Sequence, residues 1–430
     1  MMRKYKLRQL IEVTRGASLP GEFYSTSGDR IRLTLGNFDY VNNGFKENTS
    51  KDNLFYTGAV APDFILNKGD IITPLTEQAI GLLGSTAKIP ESGKYIQSQD
   101  VALVKVISDE LIHDFAYYLL PTPSVKRQLS AGAQQTNIRH TSPDKIKDCV
   151  VFIPEPSEQK KIASFLDQIE RKLEICKEEY SILESYEKLH FEYWFLQFDF
   201  PSTNGKPYKS SGGKMVFDAE LNRIIPEGWS VERVGKHIIS SRGQSYDGSN
   251  LSDDGLPMLN LASFKPGGGY NAAGLKRFKG VYSPDKVLKP FDLIMCNTQQ
   301  TAIDFKKDII GNVLLVPDIF DGLILSSHHV TTLICDDENL KYYYYCLFNT
   351  CWFHQYIAHF TNGTNILGLI FKGVEDYLTP IPPKDVLVKF TNVIKNIETR
   401  KSELLKEIKS LSDLKDFVLP LLMNGQAIVK

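Results

Sequence analysis

The sequence predicts a mixed α/β (α+β) fold made of two similar α/β domains, each followed by a long helix. Three observations predict it. The chain repeats itself at an offset of 228 residues (136 to 364, 153 to 381), two segments carry heptad-spaced apolar positions, and β-rich runs alternate with Gly, Asn and Asp turns.

The repeat is the first element to justify. Thr136-Asn137-Ile138 recurs as Thr364-Asn365-Ile366, and Ile153-Pro154 recurs as Ile381-Pro382. Arg15-Gly16 and Arg242-Gly243 follow similar starts, Lys6 to Leu10 and Val231 to Val234, and Asp70-Ile71-Ile72 resembles Asp292-Leu293-Ile294. The offset drifts there, as loop insertions make it drift. At 430 residues the chain exceeds one ordinary core. A repeat near half its length implies two related domains rather than a solenoid, which needs shorter and more numerous units.

Taken in chain order, the first body covers 1–153, with strand-like runs at 70–73 and 101–106 and a helix at 113–120. A long helix lies within 154–198. Its apolar positions, Ile162, Leu166, Ile169, Leu173, Cys176, Tyr180 and Leu183, keep a 4-3-4-3-4-3 spacing, the seam of a coiled coil. Pro156-Ser157-Glu158 suits its first turn. Residues 199–226, rich in Ser, Gly, Pro and Lys, read as an exposed linker with short ordered pieces. The second body covers 227–380, with a helix at 340–359. The second long helix, within 381–430, starts after Pro382-Pro383. Phe390, Ile394, Ile397, Leu404, Ile408 and Leu411 form its seam, with Lys401 as one polar interruption. A helix of roughly 35–40 residues reaches on the order of 55 Å.

Composition and missing motifs narrow the function. Hydrophobic residues make up 42% and charged residues 23%, a globular profile. No apolar run is long enough to span a membrane, and Met1 to Leu10 is basic without an apolar core, so a cytoplasmic location is expected. Six scattered cysteines form no C-x-x-C pair. Gly212-Gly213-Lys214-Met215 lacks the leading Gly and the Ser/Thr of a nucleotide-binding loop, which argues against an ATP-driven motor. The one Pro-Pro pair is followed by Lys384, so the aromatic that stacks on a flipped base in amino-methyltransferases is absent. His328-His329, read as strand neighbours on opposite faces, do not suit one metal, and His354 and His359 are a residue too far apart for a helical ligand pair. No catalytic centre, metal site or cofactor of its own is expected.

What remains is polar loop chemistry of the kind that reads base edges and grips phosphates. In the first body the candidates are Arg15, Thr73, Thr76, Gln78, Gln134, Gln135, Thr136, Asn137 and Arg139. In the second they are Arg242, Gln244, Tyr246, Lys276, Arg277, Asn297, Gln299, Gln300, Thr364 and Asn365. Singly, such residues also close turns and cap helices. Their appearance in both bodies is what marks the set. The net charge of −1 means that any phosphate grip is local or supplied by partners.

Ser130-Ala131-Gly132-Ala133-Gln134-Gln135-Thr136-Asn137-Ile138, followed by Ile153-Pro154-Glu155-Pro156-Ser157-Glu158-Gln159, closely resembles the loop, strand and helix start of type I restriction-modification specificity subunits, the HsdS family. Ile225-Pro226-Glu227-Gly228-Trp229 and the stretch from Glu192 to Tyr208 are similar to marks of the same family. The second copy departs from the pattern, with Pro382-Pro383-Lys384-Asp385 in place of the Glu-Gln. The resemblance implies two target-recognition domains, each reading half of a split double-stranded DNA site. It also implies two conserved helices packed antiparallel in a pseudo-twofold arrangement that set the distance between those domains. Expected partners are two methylation subunits that bind S-adenosylmethionine and an ATP/Mg-dependent restriction subunit. A helical scaffold without DNA reading is the alternative, and a degenerate nuclease centre a third.

Overall fold

The computed structural model describes residues 2–77, 81–131, 139–300 and 308–429, with position 300 by its backbone alone. The chain divides into two compact units, residues 1–173 with 411–430, and residues 174–410.

In the first unit an antiparallel sheet runs in the order Ala87–Lys88, Ile71–Pro74, Val101–Val106, Ile11–Arg15. Side chains alternate between faces along a strand, and here both faces are covered. Val13, Ile71 and Val104 join Leu7, Leu10 and Phe115 in one cluster, whereas Ile72, Val101 and Leu103 join Leu33, Phe38 and Tyr95 in another. Double coverage explains why these strands read as nearly continuous apolar runs. A second sheet orders Tyr95–Ile96, Ile31–Arg32, Phe55–Tyr56, Tyr24–Ser25, its first pair parallel. Arg3–Lys6 pairs with Val150–Ile153.

The second unit repeats the antiparallel sheet and the terminal strand pair, while its other sheet adds its fourth strand at the opposite edge. Its antiparallel sheet runs Val313–Leu315, Leu293–Cys296, Val330–Cys335, Ile238–Arg242. Its other sheet orders Lys276–Phe278, Leu251–Leu259, Ile324–Ser326, Val287–Leu288, again with one parallel pair. Ser230–Arg233 pairs with Leu378–Ile381 as Arg3–Lys6 does with its partner.

The long helices are Pro156–Phe191, 36 residues, and Lys384–Met423, 40 residues. Each contributes to both units. In the first unit Leu422 and Met423 pack with Ile162, Ala163 and Leu166, and Lys415 bonds Glu170 at 2.7 Å. In the second, His190 stacks on Phe390 and Arg400 grips Glu179 at 2.7 and 2.9 Å. Rising numbers on one helix meet falling numbers on the other, so within each unit the segments run antiparallel. Ile162, Leu166, Ile169, Leu173, Cys176 and Tyr180 are buried, as are Phe390, Ile394, Ile397 and Leu404, while Leu183, Ile408 and Leu411 are half-buried.

Lys401 does not interrupt that seam by facing solvent. It is buried, with Nζ 2.6 Å from Glu398 Oε1 and 2.9 Å from Glu187 Oε2, and the Tyr345 hydroxyl donates to Glu398 at 2.9 Å.

Two expectations change. The helix expected at 340–359 is two, Glu338–Phe348 and Cys351–Ile357. The Thr350 hydroxyl donates to the Leu347 carbonyl at 2.6 Å and accepts from the Phe353 N–H, ending one helix and capping the next. Residues 199–226 are less exposed than their polar middle suggests. Met215–Asp218 and Arg223–Pro226 form a hairpin, while Phe200 and Ile225 are buried with Trp229. Aromatic flanks outweigh the Ser-Gly-Lys centre.

Candidate nucleic-acid interface

In each unit a short ribbon carries the polar candidates. Thr76–Glu77 pairs with Arg139–His140 in the first. In the second, Thr298–Gln300 pairs with Ile366–Leu369, which turns back through Gly363 to Thr361–Asn362. Gly363 has φ 119°, and a Cβ there would lie 2.0 Å from the Ile366 carbonyl oxygen, so the tight tip requires glycine. Thr364 and Asn365 are exposed at that tip.

Buried side chains brace both ribbons. Gln299 is 4% exposed, accepts the Ile309 and Ile310 N–H groups at 2.8 Å each and donates to Asp308 at 3.0 Å. Glu77, buried in the first ribbon, accepts the Gly81 N–H. Gln299 therefore holds the backbone at Ile309 and Ile310 and the side chain of Asp308, and its own amide has no face turned to solvent. Glu77 was absent from the candidates, although its offset to Gln299 equals the one between Asp70 and Asp292.

Arg15, at the end of its strand, is exposed, and Thr76 and Arg139 are half-buried on their ribbon. Thr73 is buried inside the sheet, where its hydroxyl has no partner among the described residues. Gln78, Gln134, Gln135, Thr136 and Asn137 lie outside the described residues, as does the side chain of Gln300.

In the second unit several candidates converge. The Arg242 Nε donates to the His328 carbonyl at 2.7 Å, Lys276 donates to the Tyr246 hydroxyl at 2.8 Å, and Tyr246 lies against the His328 ring. Gln244 accepts the Ser283 N–H at 3.2 Å. Asn297 is buried and donates to Thr331 Oγ1 at 2.9 Å, and Arg277 donates to the Gly255 carbonyl at 3.1 Å from an exposed position. His328 and His329 belong to this cluster. They occupy a turn, not a strand, with ring centroids 4.0 Å apart, and His329 Nδ1 sits 2.7 Å from Thr298 Oγ1. Burial, together with His328, Lys276 and Arg242, pulls the His329 imidazole down to about 4, and burial beside Arg242 lowers His328. Both rings are thus neutral at pH 7, hydrogen-bonding groups beside two fixed cations. Sequence reading weighed them only as metal ligands; the strand assumption hid their convergence.

Residues 2–185 match the type I restriction modification DNA specificity domain. Over 327 residues the chain is 22% identical to the type I restriction enzyme MjaIX specificity subunit of Methanocaldococcus jannaschii, covering 75% of this chain and 71% of that one. A crystal structure of the type I restriction-modification S subunit from M. genitalium shares the fold, with a TM-score of 0.61 at 15% identity over 98% of this chain and 96% of that one. The matched domain covers the first of the two α/β lobes, each of which leads into a long helix. The chain is thus similar, through residues 2–185, to the DNA specificity domain of type I restriction-modification systems, and over 75% of its length to a curated specificity subunit. Among the described residues no helix is long and apolar enough to cross a membrane.

Proposed function

We propose that the protein reads a bipartite DNA site, one half with each lobe, and that the paired long helices set the unread spacer between the halves. The observation that carries this reading is the duplication: two lobes built on the same four-stranded antiparallel sheet, each with a short polar ribbon. Each lobe would enter the major groove, with half-sites roughly one helical turn, about 34 Å, apart. Because the ribbons differ in sequence, the two half-sites would differ as well.

The partners in this reading are two methylation subunits carrying S-adenosylmethionine and an ATP/Mg-dependent restriction subunit, acting on DNA in the cytoplasm. A surface of the second unit supports a protein partner. Ile175, Ile182, Tyr186, Leu189 and Tyr193 are 39–63% exposed and follow heptad spacing along one helical face. An exposed apolar stripe of this kind marks an interaction surface.

Methylome sequencing with helix-length variants tests the proposal. Inserting or deleting about one turn between Leu183 and Trp194 is expected to change the number of unread base pairs while both half-sites persist. Replacing Gln134, Gln135 and Asn137 together is expected to alter one half only, each lost base contact costing about 1–3 kcal/mol of discrimination. An unchanged spacer defeats the ruler. A chain showing no sequence-selective duplex binding even with methylation subunits is instead a scaffold.

A further inference from the structure

The first unit contains a cavity of about 730 Å³ whose wall begins at Ala17, two residues beyond the exposed Arg15. Arg32 lines it and is only 7% exposed. Its guanidinium carbon lies 3.8 Å from the centroid of the Tyr24 ring, and Nη2 donates to the Asn53 carbonyl at 3.1 Å and to Asn53 Oδ1 at 3.4 Å. Both acceptors are neutral. Nε has no hydrogen-bond partner among the described residues. Lys46 and Lys51 share the lining, against one carboxylate, Asp100, and among the described residues none of these three cations is in a salt bridge.

A guanidinium stays charged at any physiological pH, and withdrawing it from water without an anion is costly. The fold does not demand that cost. Arg32 sits opposite Ile96 in the parallel pair of its sheet; in the equivalent parallel pair of the second unit, Met258 sits opposite Leu325 and is fully buried. Methionine fills the same place in the other lobe, so packing alone does not explain the arginine. What the position has, and methionine lacks, is a cation with an unpaired Nε on the wall of a cavity with a surplus of positive charge.

We propose that this cavity is a phosphate socket. Arg32 anchors the anion through its unused donors, Tyr24 and Asn53 hold the guanidinium in place, and Lys46 and Lys51 attract the anion from the rim. The inference rests on the DNA-reading proposal for its source, a backbone phosphate flanking the first half-site. The chemistry is shared by a free phosphate, and the test separates the two. A phosphate grip in one lobe, without a counterpart in the other, makes the first half-site the tighter hold.

The experiment uses this chain with Arg32→Met, which copies the second unit's own solution and so keeps the fold, and with Lys51→Ala at an exposed position. Two readouts are taken: thermal unfolding in inorganic phosphate against chloride at equal ionic strength, and duplex affinity as a function of salt. The socket predicts a phosphate-dependent rise in unfolding temperature that Arg32→Met abolishes. It predicts that each variant weakens cognate and non-cognate duplexes alike, with a salt slope reduced by about 0.9 per lost contact and the recognised sequence unchanged. A phosphate effect dependent on Arg32, in a chain that binds no duplex, keeps the socket as a free-anion site and defeats the DNA reading alone. Unchanged salt slopes with no Arg32-dependent phosphate effect overturn the socket, as does a variant that changes which bases are recognised.

Discussion

At the scale of single residues, the buried group around Lys401 holds two carboxylates for one ammonium. Burial next to Glu398 keeps Glu187 protonated well above the ordinary glutamate value of 4.5. Burial would raise Glu398 too, but Lys401 beside it outweighs that and holds it low. The unfolded chain releases the Glu187 proton near 4.5 and the folded chain only at higher pH, so this residue makes stability fall as pH rises above 4.5. Glu187→Gln imitates the neutral acid and is expected to flatten that decline, so its melting temperature relative to the parent should climb from pH 5 to pH 9. A constant difference across that range would refute the assignment. Gln159 is the opposite case, a buried amide with every contact made: it accepts the Ile112 N–H at 2.9 Å and donates to the Glu110 and Pro154 carbonyls at 2.8 Å each. Gln159→Leu should cost about 1–3 kcal/mol or more by orphaning those groups, measured by denaturant unfolding. The sequence shows a lysine on an apolar seam and a glutamine in a helix start. It does not show that Glu187, 214 positions from Lys401, is the lysine's partner, because such pairing is a tertiary fact.

At the scale of elements, the long helices were legible because 36 and 40 residues of periodic pattern leave few alternatives. Where the pattern was short it misled. Asn349-Thr350 looks like ordinary helix interior until the threonine hydroxyl is seen closing one helix and opening the next. The reading of His328-His329 failed for a related reason, since strand and turn are indistinguishable in two residues. The outward stripe on the first long helix went unnoticed because the inward seam explains the same segment. It supports a prediction of its own: Ile182→Lys with Leu189→Lys, at positions 60% and 63% exposed, should leave stability within about 0.5 kcal/mol per substitution. The same pair should abolish co-purification with a methylation subunit. Retained co-purification would show that the partner binds elsewhere.

At the scale of the whole molecule, the recurring offset exposed the duplication, and the four-stranded antiparallel sheets obey it strand for strand, while the second sheets differ in where their fourth strand joins. The recognition surface was far less legible. Polar residue types do not say whether a side chain faces outward, as Arg15 does, or braces a backbone, as Gln299 does. One further test concerns how the units are composed. Ending the chain at Ser410 removes Leu422 and Met423, which cover Ile162 and Leu166. Hydrogen exchange should then show lost protection in Ile11–Arg15 and Val101–Val106 but not in Leu293–Cys296. Equal protection in both sheets would mean that the tail is dispensable. This arrangement carries a cost during synthesis. Ribosomes add about 5–20 residues per second, so the lobe translated first must wait for tens of seconds, with part of its core uncovered, until the last segment emerges to seal it. The nascent protein is therefore a natural client for chaperones, and premature termination before residue 410 leaves both lobes unfinished, whereas termination beyond it leaves only the first incomplete.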